Sequence, residues 1–359
     1  MAPVTAPPAG RRATTRRRTP LDDVPARRRR SRWRDRRTDL LRLVARRTAI
    51  AVPMLVALSA GVFLLAARSP FNPLAAYLGS RYQQASDAGK EAMGEHLGLG
   101  TPWWQAWWAW AGDAVRGDLG WSRVYSAPVT EVLGDRLPWT VLLSATGLVL
   151  AVVVALTLGT LAGLRPGSRL DRLCRAVAVV VQAVPPFVLA LAAVTVFAVS
   201  LRWVPAAGAT APGQPYTVAG VATHLVLPAA TLALTQLPWL LLAVRSSVAG
   251  TVASPAVRGA RARGVGPVRV VTGHVLPVSL APLVTIVGAR LPELVVGAVL
   301  VEEVFGWPGL AAAVVDSARA LDFPLLATLT VATTGAVLLG SLLADAAYLL
   351  LDPRVSPDV

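Results

Sequence analysis

Six stretches of the chain are apolar for long enough to cross a bilayer. They run at about 49–67, 138–164, 176–201, 225–244, 276–301 and 325–351. A helix rises 1.5 Å per residue, so roughly 20 apolar residues cover about 30 Å of hydrocarbon. The pattern therefore predicts an all-α integral membrane protein with six transmembrane helices. The first stretch follows a basic segment, as a signal peptide would. It is longer than a signal core and lacks a clear small-x-small cleavage site, so it is read as an uncleaved helix.

The connections between these stretches set an orientation. Arg165, Arg169, Arg172 and Arg175 crowd one short loop, and Arg245, Arg258, Arg261, Arg263 and Arg269 occupy another. The alternate loops are poorer. Residues 202–224 carry only Arg202, and 302–324 carry only Arg319. Arginine marks the cytoplasmic side of short loops. Both termini are thus expected in the cytoplasm, with the protein a multi-pass component of the cell membrane. The long 68–137 loop falls outside the cell in this topology. It holds Trp103, Trp104, Trp107, Trp108 and Trp110, and their spacing puts Trp103, Trp107 and Trp110 on one helical face. A short amphipathic helix at the membrane–water interface is expected there, with an aromatic ligand platform as the alternative.

Charge changes the picture only at one end. The formal net charge is +15 and the pI about 11.4, which alone would suggest a nucleic-acid binder. Residues 1–47 contain 16 of the 35 basic groups against four acids, so the rest of the chain is nearly neutral. Residues 1–39, rich in Arg, Pro and Thr, are read as a disordered cytoplasmic tail. No nucleic-acid partner is expected. A membrane-anchored module whose tail recruits nucleic acid or ribosomes is the rival reading, and a stand-alone secondary transporter is another.

Little in the chain suits covalent chemistry. The single cysteine, Cys174, excludes an internal disulfide framework and any multi-Cys metal site. The histidines are His96, His224 and His274, with no His-Glu-x-x-His zinc motif. The one lysine, Lys90, stands in Ala88-Gly89-Lys90-Glu91, which is no phosphate-binding Gly-Lys-Ser/Thr loop. No catalytic residue, cofactor or metal is assigned, and any ATP must be handled by another chain.

Three ionisable residues fall inside predicted helices: Arg290, Glu293 and Asp345. Such groups normally face a bundle interior or an aqueous cavity. Arg290 and Glu293 are spaced i,i+3 and share a face. They either line a translocation path or form a structural pair. Asp345 is read as an interior polar contact near the inner surface. Gly159 and Gly163 form a small-xxx-small pair that permits close helix approach.

The stretch 254–277 is too long to be a mere turn. Pro255 suits a helix start, Ala256 to Arg263 can form a short helix, and Gly264 supplies a stop. A short helix projecting into the cytoplasm is a docking element; a solvated basic loop is the alternative.

This stretch resembles the coupling loop of binding-protein-dependent ABC importer permeases. That pattern is Glu-Ala-Ala-x3-Gly-x9-Ile-x-Leu-Pro, and Ala260, Gly264, Leu276 and Pro277 fall at its spacing. Ala256-Val257-Arg258-Gly259-Ala260-Arg261-Ala262-Arg263-Gly264, followed by His274-Val275-Leu276, is closer to the dipeptide/oligopeptide/nickel branch. Gly117-Asp118-Leu119-Gly120, Arg136-Leu137-Pro138, Val301-Glu302-Glu303-Val304-Phe305-Gly306-Trp307-Pro308-Gly309-Leu310, Asp322-Phe323-Pro324, Asp345, Tyr348 and Asp352-Pro353-Arg354 resemble the same branch in the same order. The resemblance covers about residues 40–354.

The resemblance implies a type I importer permease bundle with a cytoplasmic coupling helix, not an enzyme. It implies a second homologous permease subunit, two ATPase subunits and an extracellular substrate-binding protein as partners, with membrane lipid around them. It implies alternating access, driven by ATP through Arg258, Gly259, Ala260, Arg261, Gly264, His274, Leu276 and Pro277. Short peptides are the first expectation for the substrate, with nickel chelates, opines or glutathione as alternatives. Four positions depart from the pattern. Pro70-Phe71-Asn72-Pro73 replaces Pro-Gly-Asp-Pro, Gly259 replaces Thr, Ala256 replaces Tyr, and Glu293 stands where a small residue is usual. A glycine costs a helix interior about 1 kcal/mol relative to alanine.

Overall fold

A computed structural model of the chain describes residues 27–69, 74, 82–96 and 100–351. The departure at 70–73, the terminal Asp352-Pro353-Arg354, and residues 1–26 of the tail lie outside the described residues. Residues 27–39, expected to be disordered, are instead the start of a helix, α1 (Arg27–Ala67). Arginine is a good helix former, and extending an existing helix avoids the cost of a new nucleus. At 41 residues α1 is roughly 60 Å long, about twice the hydrocarbon thickness.

Two short helices follow, α2 (Asp87–His96) and α3 (Trp103–Val115), then a two-residue hairpin of β1 (Trp121–Ser122) and β2 (Ala127–Pro128). The long helices are α4 (Val129–Leu164), α7 (Val218–Val252), α10 (Leu276–Phe305) and α12 (Phe323–Leu351). Between α4 and α7 lie α5 (Arg169–Ala183) and α6 (Pro186–Ala193), the latter continued by a π-helical stretch, Val194–Ser200. After α7 come α8 (Pro255–Ala262) and the single turn α9 (Pro267–Val270), and α11 (Leu310–Ala320) precedes α12.

The third predicted span, 176–201, is therefore not one straight helix. It breaks at Val184-Pro185-Pro186 and bends by 104°. Prolines remove backbone donors, and each pushes its preceding residue out of the helical region. Val184 and Pro185 are accordingly extended, with ψ of 128° and 141°.

Side-chain contacts show how the helices run. Gly147 meets Leu232, Gly159 meets Val244 and Gly163 meets Val248, so α4 and α7 are parallel. A Cβ on Gly163 would lie 2.7 Å from the Arg245 carbonyl oxygen, so only glycine permits that approach. The small-xxx-small pair thus packs helices within the chain. Gly297 on α10 also faces Leu232, and Ser279 reaches Thr251, so α10 runs antiparallel to α7. One end of the bundle consequently gathers Arg47, Asp171, Arg245, α8 and Asp345. The other gathers the hairpin, Trp139, Gly208 and Trp307.

The broken segment still connects the two ends. Asp171 bonds Arg245 at one end, and the Gly208 amide donates to the Phe305 carbonyl at the other, 2.8 Å away. By contrast, α10 and α11 are joined by an 81° corner, and α11 begins and ends on the same side.

The motifs of that far end meet in space. Gly306, at φ +56°, caps α10, and the buried Trp307 donates its indole N–H to the Trp139 carbonyl at 3.0 Å. The Ala311 amide, in the first turn of α11, donates to the Glu302 carboxylate at 2.8 Å. A Cβ on Gly309 would overlap that carboxyl group. Asp322, 1% exposed, accepts from the Ser122 hydroxyl at 2.8 Å and from the Arg123 amide at 2.7 Å. Gly120, at φ +88°, packs against Pro324. The Tyr125 hydroxyl donates to Asp316 at 2.8 Å, and burial together with this bond pushes the phenol up to about 12.

Helix α3 packs on α1 and α12. Trp107 is buried and donates to the Ser59 hydroxyl at 3.0 Å, while Trp110 makes a tilted ring contact with Phe63. Trp104 and Trp108 remain exposed.

Candidate functional site

The arginine-rich end carries the coupling candidates. Ser254 caps α8, its hydroxyl accepting from the Val257 amide at 3.4 Å, and Pro255 occupies the first helical position. Gly264 ends the helix with φ +77°. Its amide donates to Arg261 at 2.9 Å and the Val265 amide to Ala260 at 3.2 Å. This double closure is the Schellman arrangement, and it needs a residue at ease with positive φ.

The helix is two-faced. Val257 and Ala260 are 1% and 0% exposed, set among Val248, Val270 and Val275. Arg258 and Arg261 are exposed on the other side, and Gly259 is half-buried. A Cβ at Gly259 would lie 3.4 Å from the Arg263 guanidinium, so space does not demand glycine there. His274 is exposed in the π-helical stretch Val271–Val275, and Leu276 and Pro277 open α10. The structure thus brings the eight candidates into one loop, where Val265, Val270 and Val275 join the α8 core to α10.

Beneath this loop is an ion pair that sequence reasoning missed. Asp171 is fully buried and takes a fork of two bonds from Arg245, at 2.7 and 2.9 Å. The Gly167 amide adds a third at 2.8 Å, and Arg175 lies 3.6 Å away. The pair ties α5 to the last turns of α7, just before α8. Arg245 counted only as a topology marker in the sequence. The available signal was local: Ser168 with Asp171 three residues on is a capping pattern, and the Asp171 amide does donate to Ser168 at 3.2 Å.

The second candidate region is a groove of about 600 Å³ between the broken segment, α7 and α10. Arg290 and Glu293 both line it and are paired with each other. The Arg290 guanidinium lies over the Trp239 ring, 3.8 Å from its centre. Glu293 is 58% exposed and Arg290 18%. Gln236, 5% exposed, also lines the groove, and its carbonyl oxygen has no hydrogen-bond partner. Asp345 is elsewhere, paired with Arg47 across α1 and α12. That contact is half-exposed and fixes the first and last helices to each other.

Among the described residues no cluster of three or more metal-ligating side chains occurs. What the geometry offers is a short two-faced helix at one end of a bundle and a charged groove within it. A family model described as binding-protein-dependent transport system inner membrane component matches residues 155–357. The chain belongs to that family. It is a permease subunit of an ABC importer, a transport component rather than an enzyme, multi-pass in the membrane and served by an ATPase and a binding protein.

Full-length relatives agree. A putative peptide permease of Brucella suis biovar 1 is 32% identical over 88% of this chain and 99% of its own. The oligopeptide transport system permease AppB of Bacillus subtilis is 32% identical over 87% of this chain and 98% of its own. The glutathione transport system permease GsiC of Escherichia coli K12 is 30% identical, covering 88% and 99%. Among solved structures, the inward-facing MetNI methionine ABC transporter superposes with a TM-score of 0.50 at 18% identity. It covers 62% of this chain and 97% of that one, and supports the fold alone.

Proposed function

We propose that this permease carries short peptides into the cell, with both termini and α8 in the cytoplasm. A second homologous permease completes the pathway as a heterodimer, two ATPase subunits dock from the cytoplasm, and an extracellular binding protein delivers the substrate. The peptide reading is supported by the relatives, whose names specify peptides, oligopeptides and glutathione, itself a tripeptide. The orientation is supported by the loop arginines gathered at one end of the bundle.

The observation that carries the mechanism is the two-faced build of α8. Its buried face is continuous with the bundle through Val257 and Ala260, and its exposed face presents Arg258 and Arg261. An eight-residue helix with closures at both ends moves as a rigid body. A push on its exposed face reaches α7 through Ser254 and α10 through Val270, His274, Leu276 and Pro277. The Asp171–Arg245 pair provides the fixed side of that lever. The inward path runs along the groove holding Arg290 and Glu293, and Asp345 holds α12 to α1.

Replacing Gly264 with Asp tests the lever. The Schellman closure is strained and a charge enters the docking surface. Peptide uptake should be abolished while the protein still inserts and assembles. Normal transport by Gly264→Asp would sink the coupling assignment.

A further inference from the structure

The groove contains more chemistry than a passive path needs. A wide channel that leaves selection to a binding protein gains nothing from an arginine, a carboxylate and an orphan amide in its wall. Each is expensive inside a membrane bundle. We propose that this groove is a substrate subsite within the permease, and that it reads the two free termini of a short peptide. The proposal rests on the peptide reading given above.

Three observations meet at this point. Arg290 and Glu293 face the same cavity and pair with each other. The Trp239 ring holds the guanidinium carbon 3.8 Å from its centre, a cation–π contact that leaves N–H donors free for a ligand. A guanidinium carries five N–H donors, more than one carboxylate can take. Glu293 is the more open partner, at 58% exposed, so it can accept from an incoming ammonium. Deeper in, the Gln236 carbonyl oxygen is buried and unpaired, and a buried acceptor without a donor is costly. A peptide N–H is the donor that such a site lacks.

The charge pattern then defines the ligand. An anion alone would pair with Arg290 and leave Glu293 bare. A cation alone would do the reverse. A zwitterion exchanges one internal pair for two external ones, its carboxylate on Arg290 and its ammonium on Glu293, so no charge is left unpaired within the bundle. The volume suits this class: cavities of about 300–1,000 Å³ hold small ligands. Gly297 leaves room in front of Gln236, where a Cβ would lie 3.8 Å from the Gln236 amide nitrogen.

The test uses the whole transporter in proteoliposomes, with saturating binding protein. Three radiolabelled peptides are compared: trialanine, its N-acetyl form and its C-terminal amide. Binding to the isolated binding protein is measured separately, so that its preference can be divided out of the maximal uptake rates. Wild type should import trialanine about tenfold faster than either blocked form, the value of one charge-assisted hydrogen bond. Arg290→Gln should lose that preference over the amide, and Glu293→Gln the preference over the N-acetyl form. Gln236→Leu keeps both charges and an apolar core, and should slow all three peptides alike. The double exchange Arg290→Glu with Glu293→Arg preserves an internal pair, so it guards against simple misfolding. It should assemble but import trialanine about tenfold more slowly. Rate ratios identical in wild type and all variants would overturn the subsite alone. A wild type that imports none of the three peptides would overturn the peptide reading and the subsite together.

Discussion

Asp171 has no contact with solvent, yet it carries a charge. The Arg245 fork and the Gly167 amide compensate for that burial. Removing one partner of a buried pair strands the other, so Asp171→Ala is expected to destabilise the permease by about 3–5 kcal/mol. Arg175, half-exposed and at the rim, should contribute under about 1 kcal/mol. Thermal unfolding in detergent distinguishes the two, and equal effects would contradict the assigned roles. Gly309 makes a second residue-scale case. Any side chain there collides with Glu302, whose carboxylate holds the start of α11. Gly309→Ala should lower stability by displacing the Glu302 carboxylate from the Ala311 amide, whereas Gly134→Ala, with open space around it on α4, should be neutral or gain up to about 1 kcal/mol. Neither Asp171 with Arg245 nor Glu302 with Gly309 was legible as a contact in the sequence. The first pair is far apart along the chain, and the second needed the corner after α10 to bring its members together.

The elements were legible where composition is punctuated. Ser254, Pro255 and Gly264 are helix boundary signals in their own right, and α8 begins and ends where they place it. The long apolar runs likewise became α1, α4, α7, α10 and α12. Hydropathy failed where it averages over a break. The segment 176–201 is apolar at most positions, so its bend depended on two adjacent prolines whose weight a long window dilutes. The basic stretch 27–39 misled in the opposite sense, because low hydropathy argued disorder while arginine itself favours helix. At the helix–helix level, Gly159 and Gly163 were a weak signal until α7 was seen against them. Gly163→Val would push α4 off α7, since even a Cβ would lie 2.7 Å from Val248. A variant that unfolds with wild-type cooperativity and temperature would contradict that packing.

At the scale of the whole molecule, the two ends of the bundle differ. One end holds α8, the buried ion pair and the contact of α1 with α12, and is the end proposed to meet the ATPase. The far end is locked by Glu302, Trp307 and Asp322. Leu173, Val179 and Val180 on α5 are about 60% exposed, and the open wall of the groove is formed partly by the same helix. These exposed apolar faces suit lipid. The basic tail is an addition to this plan. Deleting residues 1–26 should leave peptide uptake intact in vesicles, and loss of uptake would give the tail a role in transport. The central claim is that motion from an ATPase enters through α8 and moves a peptide delivered by a binding protein. Its most direct test is accumulation of a labelled peptide in proteoliposomes that hold the permease pair and its ATPases. The account predicts uptake that requires both ATP and the binding protein and is blocked by vanadate. Equal uptake without ATP, or without the binding protein, would contradict it.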